Sequence, residues 1–179
     1  MSGMEKAFFE ESFLITKEDL INMNIDREKL SVSKKRKVLL YAAGVAAVCA
    51  GVLLLLNFRD SFYHGLCWVM LIVIGLYCIS YYEVISPALT RSQSARFYEV
   101  FKSSIHSRTV RFYKEKIDFI SEERKIRIPI DHIYSIAEGK NTVLIFTDEE
   151  NFCFVPKRVL DAGILEKIRC FEKTKYRTV

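Results

Sequence analysis

The chain has 179 residues, half of them hydrophobic and 27% charged, with a net charge of +5. So small a surplus excludes a protein built to neutralise nucleic-acid phosphates, and no nucleic-acid partner is expected. Five cysteines without a CxxC pair exclude a disulfide framework.

Residues 1–37 form a mostly polar arm. An apolar stretch from Ala7 to Ile15, broken by Glu10 and Glu11, predicts a strand at 8–15. Thr16 stands three residues before Asp19, a near-match to a capping box, and predicts a short helix over 17–24. Two uncharged runs follow, Val38–Leu56 and Gly65–Tyr82, separated by eight residues. Each is long enough, at about 1.5 Å per residue, to cross the ~30 Å hydrocarbon layer of a bilayer as a helix. They predict a transmembrane hairpin: helix 38–56, external loop 57–64, helix 65–86. The apolar run begins too far into the chain and is too long for a cleaved signal peptide.

Cations stand at the ends of this hairpin. Lys34, Lys35, Arg36 and Lys37 precede it, Arg91 and Arg96 follow it, and the loop holds only Arg59. The positive-inside rule therefore predicts two cytoplasmic termini in a cell-membrane protein, with the lipid bilayer as a partner. Ala43, Ala47 and Gly51 recur at spacing four on the first run. Such small residues let a neighbouring helix approach, although a lipid-facing row without a role has the same spacing. Tyr41, Tyr81 and Tyr82 mark the inner interface, and Phe58, Phe62, Tyr63 and Trp68 the outer one. Glu83 falls at the headgroup level, and Pro87 is expected to bend or end the second helix.

Residues 87–106 read as a juxtamembrane amphipathic helix in which Phe97, Phe101 and Ile105 recur at spacing four. Its apolar face can lie on the membrane or pack on the following domain. The narrowness of the face favours packing. Residues 107–179 then read as a β-rich domain. Lys116–Phe119 and Lys125–Asp131 alternate apolar and polar residues around a turn at 121–124. Thr142–Thr147 and Asn151–Val155 flank a turn at 148–151, and Pro156 ends the second of these strands. A last helix starts after Asp161, with Ile164, Leu165, Ile168 and Phe171 on its apolar face. Lys173 and Lys175 sit at its C-terminal end. The class is α+β: a two-helix hairpin with a cytoplasmic antiparallel sheet capped by a C-terminal helix. Because that sheet needs its edges covered, the arm strand is expected to pair with it.

The arm Ile15-Thr16-Lys17-Glu18-Asp19-Leu20, the hairpin, and a tail running from Ile128-Pro129-Ile130-Asp131-His132-Ile133 to Val155-Pro156-Lys157-Arg158-Val159-Leu160 together resemble the bacterial YcxB-like proteins. The resemblance implies a membrane protein whose C-terminal domain is pleckstrin-homology-like. It supplies no catalytic residues.

The residues themselves point to no chemistry. His64, His106 and His132 stand in three separate segments, and phosphate loops and nucleophile elbows are missing. No enzyme activity, metal or cofactor is expected. Candidate contacts with a protein partner or lipid are Arg108, Arg111 and Lys114, a basic stretch mixed with aromatics, and Lys157 and Arg158. A solvated strand face or loop accounts for them equally. The expected function is a non-enzymatic membrane protein whose cytoplasmic module binds a protein or the inner membrane surface. The alternatives are an accessory subunit of a transport or enzyme assembly, or an immunity protein against a toxin. A homo-oligomer is also open.

Overall fold

A computed structural model describes residues 6–56, 62–104, 107–122, 124–170 and 176–178. The expectations for Phe58, Ile105, His106, Phe171, Lys173 and Lys175, and for most of the loop at 57–64, lie outside the described residues. The chain divides into two compact units. Met1–Leu30 joins Arg91–Val179 in one, and Ser31–Thr90 makes the other.

In the first unit the arm strand is β1, Phe9–Leu14. It pairs antiparallel with β2, Ser107–Phe112, from Phe9 opposite Phe112 to Leu14 opposite Ser107. The expected pairing of the arm with the C-terminal sheet is therefore present. β3 (Lys116–Ser121) and β4 (Lys125–Pro129) complete a four-stranded antiparallel sheet in the order β1-β2-β3-β4. The turn between β3 and β4 closes through the Ser121 amide, which donates to the Arg124 carbonyl at 2.8 Å.

A second sheet has the order β7-β6-β5-β8. It consists of β5 (Ser135–Glu138), β6 (Thr142–Phe146), β7 (Phe152–Pro156) and β8 (Tyr176–Thr178). The β6–β7 turn is tied by Asp148, whose Oδ1 accepts the amides of Glu150 and Asn151. Neither β5 nor β8 was expected. β5 has four residues, too few to show a period, and β8 pairs parallel to β5. The single continuous sheet read from the sequence is thus two sheets, one with a parallel edge.

One core serves both sheets. Val110, Phe112, Ile117, Ile136, Leu144, Ile145 and Val155 are fully buried in it. α5 (Ala162–Cys170) covers this core with Ile164 and Ile168, and its first turn bonds to the Asp161 carbonyl as the N-cap reading requires. α1 (Lys17–Ser31) is about twice the expected length. Its start is a reciprocal box: the Asp19 amide donates to Thr16 Oγ1, and the Thr16 amide donates to Asp19 Oδ2. Its second half is polar and gives no helical stripe. Asp26 holds it, accepting the Lys140 and Asn141 amides and the Thr142 hydroxyl, the last at 2.6 Å. A Cβ on Gly139 would fall on the Asp26 carboxylate, so the β5–β6 turn needs glycine at that position.

The second unit holds α2 (Lys34–Leu56) and α3 (Phe62–Ser80). Glycine backbones set their packing. A Cβ at Gly75 would lie 2.6 Å from the Gly44 carbonyl oxygen, and one at Gly51 would lie 2.7 Å from Ile72. Gly44 and Gly51 are buried, whereas Ala43 is exposed and Ala47 only half-buried. The row Ala43–Ala47–Gly51 is thereby corrected to Gly44–Val48–Gly51 against Gly75. At 3.6 residues per turn a spacing of four drifts about 40° per step, whereas seven residues return to within about 20° of the same side.

Pro87 does not end the second helix. A π-helical turn, Tyr81–Ile85, follows α3, and α4 (Ser86–Phe101) continues from it. The Ser86 amide reaches back to the Tyr81 carbonyl. A proline lacks an amide proton and crowds the carbonyl four residues earlier, and the wide turn takes up that misfit.

Candidate interaction surface

The corner after β7 is built from buried carboxylates. Pro156 is buried, and the chain then makes a tight helical turn over Lys157–Val159. Arg158 lies against the arm, its Nε and Nη2 donating to Asp19 at 3.1 and 2.7 Å and its Nη2 also to the Leu14 carbonyl at 2.8 Å. Burial raises the Asp19 pKa, but the bonds from Arg158 and from Thr16 outweigh it and hold the carboxyl below its usual range. Lys157 donates to Glu138 at 2.6 Å, and Arg169 of α5 grips the same carboxylate through Nε and Nη2. Both candidate contact residues of this corner are therefore bound inside the fold. Lys157 and Arg158 tie β5 and the arm to one loop, and Arg169 brings α5 to the same Glu138 carboxylate.

Arg111 is also engaged. Glu10, Arg111, Asp118 and Arg127 stand opposite one another across β1, β2, β3 and β4, a row of alternating charge. Arg111 donates to Glu10 at 2.7 Å, and Arg127 donates to Asp118 at 3.0 Å. Asp118 is fully buried although it points away from the Ile117–Phe119 side, because Arg127 and Lys125 cover it. Burial raises its pKa, and these two cations more than reverse the effect. Lys114, by contrast, is exposed in the turn between β2 and β3. Arg108 lies 5.9 Å from the Phe154 ring.

The strands β3 to β7, the Pro156–Arg158 corner and the body of α5 fall in one stretch of sequence. Residues 112–171 match the family model of YcxB-like proteins. No curated protein and no solved structure matches the chain. β1 and α1 lie outside the YcxB-like stretch yet complete its fold, since Asp19 and Asp26 supply the partners of Arg158 and Thr142. These acids were missed in the sequence, as were Glu138 and Asp118. Only the Thr16–Asp19 spacing singled out any of them, and it pointed to a cap alone. Among the described residues no group of three or more His, Cys, Asp or Glu side chains is placed to hold a metal.

The remaining predicted residues belong to the helices. Lys34, Lys35 and Arg36 are exposed, and Lys37 sits 5.9 Å from the Tyr82 ring. Tyr41 donates to Glu83 at 3.1 Å, tying α2 to the π turn. Arg91 and Arg96 are exposed on α4. The expected packing of α4 through its aromatic face is reversed. Polar groups join α4 to α1: Asn24 donates to the buried Ser94 at 2.9 Å, and Lys17 pairs with Glu99 at 2.9 Å. Phe97 and Phe101, with ring centroids 4.5 Å apart, remain exposed. Spacing revealed the stripe but not which side of the helix the domain would take.

Proposed function

We propose that this chain is a non-enzymatic integral membrane protein. In this reading α2 and α3 cross the bilayer as a hairpin with both termini cytoplasmic. The folded unit is a pleckstrin-homology-like module that binds a protein partner or the inner membrane surface. The observation that carries the reading is the reversed burial of the two helices. Only 11% of the most apolar stretch of α2, and 6% of that in the Gly65–Phe101 run, is buried inside the protein. Leu39, Leu53, Leu56, Met70 and Val73 are among the large apolar side chains left exposed. A helix apolar all round belongs either in a protein core or in lipid, and these two are in no core. The cations at their ends favour the cytoplasmic orientation.

Support for the module is topological. An antiparallel four-stranded sheet, then the β5-β6-β7 meander, then a closing helix is the order of a pleckstrin-homology-like domain, here with the first strand taken from the arm. In-cell crosslinking of the full-length protein in native membranes tests the binding role. A stoichiometric protein or lipid adduct on the folded unit is the expected result. Recovery of neither would overturn it.

A further inference from the structure

We propose that α4 docks on the anionic lipid surface of the inner leaflet through Arg96, Phe97, Val100 and Phe101. The inference rests on the membrane reading above and deepens it by assigning the lipid contact to one helix face. At 3.6 residues per turn Val100, Phe97 and Phe101 cover an arc of about 100°, with Arg96 beside Val100 at its edge. Val100 is 71% exposed, Phe97 52% and Phe101 45%, so three large apolar side chains point away from the folded unit. The flank next to Phe101 is committed through Ser94 to Asn24, and the opposite side through Glu99 to Lys17. α4 therefore cannot roll to hide this face without breaking those bonds.

Two observations select lipid as the occupant. The first is continuity. Gly65–Phe101 is one helical run of 37 residues, whereas about 20 suffice to cross a bilayer. The surplus begins at the π turn and Pro87, features at which helices change direction. It follows directly on a span whose own apolar side chains are exposed. The second is charge. Arg96, exposed, edges the apolar arc where a cation suits anionic headgroups, as in helices that lie in the membrane interface.

The test uses the full-length chain in vesicles of phosphatidylethanolamine and phosphatidylglycerol, with and without brominated acyl chains. Wild type reports through Trp68, its one tryptophan. Phe97→Trp and, separately, Val100→Trp report on α4 in a Trp68→Phe background, and Arg91→Trp reports on a position away from the arc. The proposal expects bromolipid to quench the tryptophans at 97 and 100 about as strongly as Trp68 and to leave the one at 91 bright. Two independent reporters on exposed positions guard against a single misfolded variant. Blue-shifted but unquenched emission at 97 and 100 would mean a protein contact, such as a second copy, and would overturn the proposal. Red-shifted emission would mean solvent and would overturn it equally. In either case a quenched Trp68 leaves the membrane reading standing. An unquenched Trp68 would overturn that reading and this one together.

Discussion

The two units use the same apolar residues in opposite ways. In the folded unit Phe112, Ile136 and Leu144 are sealed between two sheets, and the charges around them are paired. In the helical unit leucines and valines point outward, and the closest approach is made by Gly44, Gly51 and Gly75. Water drives the first arrangement, because burying an apolar side chain removes it from water. In the membrane reading proposed above it does not drive the second. Helices in lipid gain little by hiding leucine and associate instead by close backbone packing. The contrast is the one that the proposed membrane reading expects of two units built for different solvents.

The strongest way to break this contrast is a pair of truncations. Phe112→Ala in the core should cost about 3–5 kcal/mol, read by chemical denaturation of the full-length protein in nanodiscs. Leu53→Ala on the outside of α2 should leave the same transition unmoved. If both truncations shift it equally, the two units do not differ as described.

Gly75→Leu tests the helical unit directly. Its new side chain would meet the Gly44 carbonyl and the Val48 backbone, neither of which can turn aside. The overpacking should reach the upper end of about 1–3 kcal/mol and separate the helices, read as loss of crosslinking between cysteines placed on α2 and α3. Ala43→Leu, at an exposed position, should keep the crosslink.

Arg158→Ala sharpens the account of the folded unit. It leaves the buried Asp19 carboxylate without its cation and frees the Leu14 carbonyl. Because the Arg158 side chain is about half exposed, the expected loss is about 1–2 kcal/mol of folding stability by denaturation. The acid limb follows from the same pairs. Asp19 and Asp118 have folded-state pKa values below their unfolded ones, so both add stability above the ordinary carboxylate pKa of about 4. That stability drains away as pH falls through the lower folded values. Asp19→Asn should lower stability at neutral pH and flatten its decline in acid, measured by thermal unfolding across pH.

The smallest effect is expected at Gly163 in α5. A Cβ there meets nothing within 4 Å, so Gly163→Ala should stabilise by about 0.5 kcal/mol in the same denaturation assay. Gly163 thus differs from Gly44, Gly75 and Gly139, which meet backbone or a buried acid.

Much of the fold was legible because it follows apolar patterning. β1, both long helices, the β3–β4 hairpin, β6, β7 and the start of α5 each carry a period or a turn signal. What escaped detection depends on partners far away in the chain. The second half of α1 is polar and becomes helical against the β5–β6 turn through Asp26. β5 is too short to read alone. Asp118 sits at an outward position of an alternating strand and is buried only because cations of β4 close over it. The basic residues singled out for partners, Arg111, Lys157 and Arg158, were legible as charges. Their occupancy by Glu10, Glu138 and Asp19 was not. The π turn left one trace in the sequence, Pro87, whose usual meaning is a helix end.

The central claim is that the two long helices cross a bilayer and return the chain to the side on which the arm joins the C-terminal sheets. Labelling of intact cells with a membrane-impermeant maleimide tests it most directly, in a background with the five native cysteines replaced by serine. Single cysteines are introduced by Asp60→Cys in the loop, Glu11→Cys in β1 and Glu149→Cys in the β6–β7 turn. The account predicts labelling at 60 in intact cells, and at 11 and 149 only after permeabilisation. A position 60 that stays unlabelled until the membrane is opened, or positions 11 and 149 on opposite sides, would contradict it.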